Sequence, residues 1–322
     1  MINIIRYLTF LTFLLLVLPF RLSGQEGLSY QATMISNPSL TGSTGDGIAR
    51  LSYLNYYPGN NYNFHSVVLS YDCYSPALHG GIGFNISDEY LGGIINNLKG
   101  GLSYSYYLQA GKDVFISGGL SASFYHRGYD FGNAVLPDQI DPVLGAVLPS
   151  GETISDRGRT VLDLATGFLF ITGKYFGGFS VNHLAEPDPS GSDFTGGKLE
   201  RTLLIHGAAD FIIGRERNLS IIPLASAEIS KSIFSAGAGV SLESKYLSFS
   251  AIFLADNTEN IDLQAGFSVS TGNLMVFYNY RFNIISGENL LPFSLLHHTG
   301  IALSLNSVDK RKTVKTINFP KL

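Results

Sequence analysis

The sequence predicts an all-β protein: a transmembrane outer-membrane β-barrel of about 14 antiparallel strands, with short periplasmic turns and long extracellular loops. Three observations carry this expectation: strict alternation of apolar and polar residues, scarcity of charge, and connections that are short and long by turns. In Val114–His126, VFISGGLSASFYH, one parity holds Val114, Ile116, Leu120, Ala122 and Phe124, and the other Ser117, Ser121 and Ser123. A period of two marks a strand whose faces meet different surroundings. Leu98, Leu102, Tyr104, Tyr106 and Leu108 oppose Lys99, Ser103, Ser105 and Gln109 in the same sense, and Ile261, Leu263, Ala265, Phe267 and Val269 oppose Asp262, Gln264, Ser268 and Ser270. Charged residues are 14% of the chain, where about 25% is usual for soluble domains, and mean hydropathy is positive.

Reading the alternation along the chain gives fourteen strands, at about 47–57, 63–74, 80–88, 96–109, 114–127, 160–171, 175–181, 202–213, 219–229, 233–242, 247–254, 261–270, 274–284 and 296–305. Fourteen is even, as single-chain bacterial barrels require. Connections after even strands are short, for example Ala110–Asp113 and Thr271–Asn273, whereas those after odd strands include Gly128–Arg159 and Asn182–Arg201. Short turns at one end and long loops at the other place both termini in the periplasm. Pro223 falls inside a strand and predicts a bulge or a local break in the ladder. Tryptophan is absent, so an interfacial girdle has to be built from 18 Tyr and 22 Phe.

The ends divide the chain further. Residues 1–24, with Arg6 before the apolar run Thr9–Phe20, read as a secretory signal peptide. Residues 25–46 are expected to form a periplasmic N-terminal segment, 47–305 the barrel, and 306–322 a basic periplasmic tail. The destination is the outer membrane of a Gram-negative cell. Cys73 stands alone on the parity of Val67, Leu69 and Tyr71, so it reads as a small apolar wall residue.

Charge within the strands follows the same geometry. Arg50, Asp72, Lys99, Asp163, Asp210, Glu228, Asp262 and Arg281 lie opposite their strands' apolar faces and are expected to point into the lumen. They read as a paired network or, alternatively, as a selectivity lining. The inward parity is expected to tolerate Arg at Ser117 or Ser268 far better than the lipid parity does. The Gly128–Arg159 loop carries five acids (Asp130, Asp138, Asp141, Glu152 and Asp156) against Arg157 and Arg159.

Catalytic patterns are sparse. Asp138 and Asp141 share one loop, a weak pointer to acid–base work or calcium, and His183 ends a strand at the outer rim. His297 and His298 point to opposite faces of a strand. No HExxH, GxSxG or Walker pattern occurs, so enzymatic activity, cofactor and metal are not expected.

Four ordered stretches, NPSLTG (Asn37–Gly42), LSYDCYSPALHGGIGFNISDEYLGG (Leu69–Gly93), DQIDPVLG (Asp138–Gly145) and KYFGGFSVNHLAEP (Lys174–Pro187), resemble the PorP/SprF family of outer-membrane proteins of the type IX secretion and gliding system of Bacteroidota. The resemblance implies a non-enzymatic role in exporting or anchoring a secreted surface protein. Its implied partners are outer-membrane lipid, periplasmic components of the secretion system and that surface protein, with no nucleic acid. Asn37, Pro38 and Gly42 match the family motif before the first strand. They read as a turn that seats the N-terminal segment under or inside the barrel, or as a partner contact. The tail residues Lys310, Arg311, Lys312 and Lys315 read as a dock for an acidic periplasmic partner, or as a solvated tail. The alternatives are a passive outer-membrane transporter or porin for small solutes and a barrel-borne hydrolase.

Overall fold

A computed structural model describes residues 33–56, 58, 63–130, 137–141, 144–147, 158–190, 197–213, 219–257, 259–285 and 296–305. The signal peptide and the basic tail lie outside the described residues. The first strands are β1 (Ile48–Tyr56), β2 (Phe64–Ser75), β3 (Gly80–Leu91), β4 (Ile95–Gln109) and β5 (Val114–Tyr129). A small hairpin, β6 (Ile140–Asp141) and β7 (Gly145–Ala146), follows in the first long loop. The wall resumes with β8 (Arg159–Thr172), β9 (Tyr175–Asn182), β10 (Thr202–Ala209), β11 (Phe211–Ile213) and β12 (Leu219–Ile229). It ends with β13 (Phe234–Ser244), β14 (Leu247–Asp256), β15 (Ile261–Thr271), β16 (Leu274–Ile285) and β17 (Leu296–Ser304).

All neighbours are antiparallel, and β17 pairs with β1 to close the barrel. Closure removes the free sheet edge that a bilayer does not tolerate. β10 and β11 are two parts of one strand, because both pair with β12 in the same register, Ala208 opposite Leu224 and Phe211 opposite Ile221. The interruption lies opposite Ile222 and Pro223, as the missing proline N–H predicts. On the other side of the interrupted strand the β9 ladder continues in register, the Asp210 N–H donating to the Lys174 carbonyl at 2.9 Å. Counted this way, fourteen strands form the wall. No described helix is long and apolar enough to cross a membrane; the crossing is made by strands.

The outward parity is apolar and exposed, with Leu120 at 63%, Leu162 at 78% and Phe267 at 47%. The inward parity is nearly dry. Ser117, Leu169, Ser241 and Ile222 are fully buried, and Asp72 and Arg281 nearly so. The expectation that Arg would be mild at Ser117 or Ser268 is therefore overturned. Ser117 packs against the N-terminal segment, and Ser268 is hydrogen-bonded to Ser248.

Candidate functional site: the luminal seat of the N-terminal segment

Residues Thr33–Asp46 run inside the barrel and not beneath it. Thr33–Ser36 form one helical turn and Pro38–Leu40 a tighter one, opened by Asn37, whose Oδ1 accepts from the Ser39 N–H at 3.0 Å and the Ser39 hydroxyl at 2.7 Å. That cap fixes the amide orientation, so Nδ2 faces outward to the wall. It donates to the Phe179 carbonyl at 3.3 Å, to the Phe168 carbonyl at 3.4 Å and to His206 Nε2 at 2.9 Å. His206 Nε2 is therefore the acceptor, which leaves the proton on Nδ1. One side chain ties β8, β9 and β10 to the segment.

The segment's carbonyls face hydroxyls of the wall. Ser180 donates to Ser36 O at 2.6 Å, Ser117 to Ser39 O at 2.8 Å and Ser105 to Thr41 O at 2.7 Å, while the Tyr107 hydroxyl lies within 3.1 Å of Ser39 O and 3.0 Å of Thr41 O. Thr41 bonds Ser103 at 3.0 Å. Leu40 enters an apolar cluster with Phe115, Leu169, Ile171 and Phe176. Glycines of the wall make room for this. A Cβ on Gly119 would lie 2.2 Å from the Pro38 carbonyl carbon and from Ser39 N, and one on Gly81 would lie 2.0 Å from Thr41 O. Gly42 has φ +68°, the left-handed region that favours glycine, and its N–H donates to Asp72 Oδ2 at 2.7 Å. Asp72 also holds Arg50.

Asn37, Pro38 and Gly42 are thus buried against the protein's own wall, the seat that the sequence reading offered beside a partner contact. Several of the other charges expected to line the lumen have identified partners. Lys99 meets Glu89 at 2.9 Å, and Asp163 meets His183 Nδ1 at 2.7 Å. Asp262 accepts from Asn283 at 2.8 Å, and Arg281 donates to Gln264 and to Tyr56, each at 2.9 Å. Glu228 lies half-buried on the parity of Leu224 and Ser226. Asp210 Oδ1 is buried without a hydrogen-bond partner. Lys310, Arg311, Lys312 and Lys315 lie outside the described residues.

Sequence reasoning did not single out Ser105, Tyr107, Ser117, Ser180 and His206 as a set. The available signal was glycine recurring among serines on the inward parity, which pointed to a close backbone approach. At the outer end, His297 faces outward against Tyr278 at 2.8 Å, while His298 faces inward beside Phe277. Among the described residues no group of three His, Cys, Asp or Glu could hold a metal. In the loop after β9, Ser190 is buried and bonds Asp188 through hydroxyl and N–H, which holds the Asp188 carboxyl below its usual range. The loop thus folds back on itself here.

The family described as "Type IX secretion system membrane protein PorP/SprF" matches residues 27–293, a span that takes in the seat and every strand but the last. The chain belongs to the PorP/SprF family. This PorP/SprF protein is an outer-membrane β-barrel and a type IX secretion membrane protein by family. Its fold is similar to that of the toluene transporter TodX of Pseudomonas putida, at 11% identity and TM-score 0.50, covering 88% of this chain and 97% of that one. A TodX deltaS2S3 mutant, described as a monoaromatic hydrocarbon channel, gives TM-score 0.52 at 11% identity, over 85% and 94% of the two chains. The outer-membrane protein Omp33 of Acinetobacter baumannii gives TM-score 0.45 at 8% identity, over 82% and 100%. No curated protein sequence matches this PorP/SprF chain.

Proposed function

We propose that this protein is a non-enzymatic component of type IX secretion that assists export or surface anchoring of a secreted partner, and that it does not conduct small solutes. The N-terminal segment seated against the inner wall, which we read as a stopper, carries this reading. A solute moving along the β4–β10 wall would have to displace the Asn37 bonds and the hydroxyl-to-carbonyl bonds together, each worth about 1 kcal/mol net. The basic tail fits the same reading as a dock for an acidic periplasmic component, whose exposed charge pairs are screened beyond about 10 Å at 0.1 M salt.

A second reading, a passive transporter, draws support from the TodX-like fold and from Ser241, Ser250 and Asn279, inward-facing groups that the stopper leaves without hydrogen-bond partners. Bilayer recordings of the purified full-length protein, paired with a deletion strain, separate the two. The secretion reading expects no steady conductance, and loss of an exported protein from the cell surface, with slower colony spreading, on deletion. It also expects truncation after Ser307 to lower surface display while barrel abundance holds. A steady open conductance together with unchanged surface display in the deletion strain would overturn it.

A further inference from the structure

Of the wall groups that hold the Asn37 amide nitrogen, His206 is the one that titrates. Asn37 has two amide hydrogens for three acceptors, and its shortest contact is to the imidazole, at 2.9 Å against 3.3 and 3.4 Å to the Phe179 and Phe168 carbonyls. Neutral imidazole accepts there through Nε2, whereas protonated imidazole carries an N–H at both ring nitrogens and accepts nothing. Two donors would then face each other in a wall that is nearly dry, which is costly. Asn37 cannot answer by turning its amide over, because Oδ1 already accepts the Ser39 N–H and hydroxyl. Nor can it slide along the wall. A Cβ on Gly167 would overlap Asn37 Oδ1, and one on Gly178 would lie 3.3 Å from both Asn37 Nδ2 and His206 Nε2, so the side chain rests on the backbones of β8 and β9. The way left is for the whole cap turn to leave the wall. His206 stands opposite Gly178 of β9 and Ser226 of β12, neither of which is charged. The described titratable groups on the inner faces of the elements around it are Glu228 on β12, Asp163 on β8, which is held by His183, and Asp210 on its own interrupted strand.

We propose that the Asn37–His206 bond is an acid-labile latch: protonation of His206 frees the N-terminal segment from its seat and unblocks the lumen, the second part resting on the reading of that segment as a stopper. The latch is closed while the imidazole is neutral and opens as pH falls through and below the range where imidazoles take up a proton. The bonds from Ser180, Ser117 and Ser105 do not titrate, so they set the resistance against which the latch works.

Cys73 is the chain's single cysteine, so Cys73→Ser with Met34→Cys in the full-length protein leaves one thiol, inside the seat, where Met34 is 2% exposed beside Ser103. Its rate with dithiodipyridine, a reagent that stays reactive in acid, is measured against free cysteine in the same buffer. From about pH 7.5 to about pH 4.5 the corrected rate should rise roughly tenfold, because each pH unit below a group's pKa adds up to tenfold to the population that its protonation opens. His206→Gln keeps an acceptor that does not titrate and should flatten the profile. Asn37→Asp gives an imidazolium N–H a carboxylate to bond, so there the corrected rate should not rise on acidification. A flat profile with His206 and Asn37 both in place overturns the latch, as does the same rise in His206→Gln. Should His206→Gln fail to fold, Asn37→Asp decides: the same rise in that variant overturns it. Bilayer recordings over the same pH range test the reading beneath. Thiol exposure without added conductance keeps the latch and removes the stopper, whereas no exposure removes the latch and leaves the stopper in place.

Discussion

The two inner walls of the barrel are written in the same letters and do different things. On the β3–β10 wall, inward serines and glycines face a second stretch of chain. Serine hydroxyls meet carbonyls of residues 36–41, and glycines admit that backbone. On the β12–β17 wall the same residue types face one another. Ser248 bonds Ser268, Ser241 and Ser250 have no partner, and the space a Cβ would fill at Gly266 is taken by Asn279 Oδ1 at 2.0 Å and Ser250 Oγ at 2.7 Å. A small polar inner face does not by itself define a channel. What decides is whether a carbonyl-bearing segment lies opposite.

The largest effects should be equal on the two walls, because both present the same outer face to lipid. Leu120→Arg on β5 and Phe267→Arg on β15 should each destabilise by roughly 2–4 kcal/mol in lipid-vesicle unfolding. A much smaller loss at either one would mean that its sector is covered by something other than lipid. Next come the two buried asparagines. Asn37→Ala strips Phe168 O, Phe179 O and His206 of a donor and should cost about 1–3 kcal/mol, with the N-terminal segment becoming open to protease. Asn279→Ala removes an unpaired oxygen and should cost less than about 1 kcal/mol. Similar losses at both would break the distinction between the walls. The finest comparison is between glycines. Gly119→Ala collides with the backbone of the stopper and should cost about 1–3 kcal/mol. Gly266→Ala meets only the ends of two side chains that can rotate, so its melting temperature should fall less.

The wall was legible because a period of two is a local property. Each strand of the wall, the break at Pro223 included, is signalled by its own residues, whereas the β6–β7 hairpin inside the Gly128–Arg159 connection is not. The seat was legible only in part. NPSLTG announces a turn, but its contacts with His206 and Phe179 span 169 and 142 residues, and no local pattern reports which inward serine a distant carbonyl will reach. Ser190 shows the same limit. Its bonds to Asp188 are local, but its burial depends on the loop folding back, as the Leu199 N–H bond to the Pro187 carbonyl at 2.9 Å shows.

The reach of Asn37 also sets an order of events during assembly. Its amide group has its full complement of acceptors only when β8, β9 and β10 are all in place, so the part of the seat synthesised first is completed by strands made much later. Joining sites so far apart in the chain carries a loop-closure penalty that grows with separation. Completing the seat is therefore a late event, and an assembly intermediate lacking β10 lacks the His206 contact of Asn37 while the contacts with β2, β4, β5, β8 and β9 can already form. Until that strand arrives, the nascent wall has a vacancy that the chain itself is obliged to wait to fill.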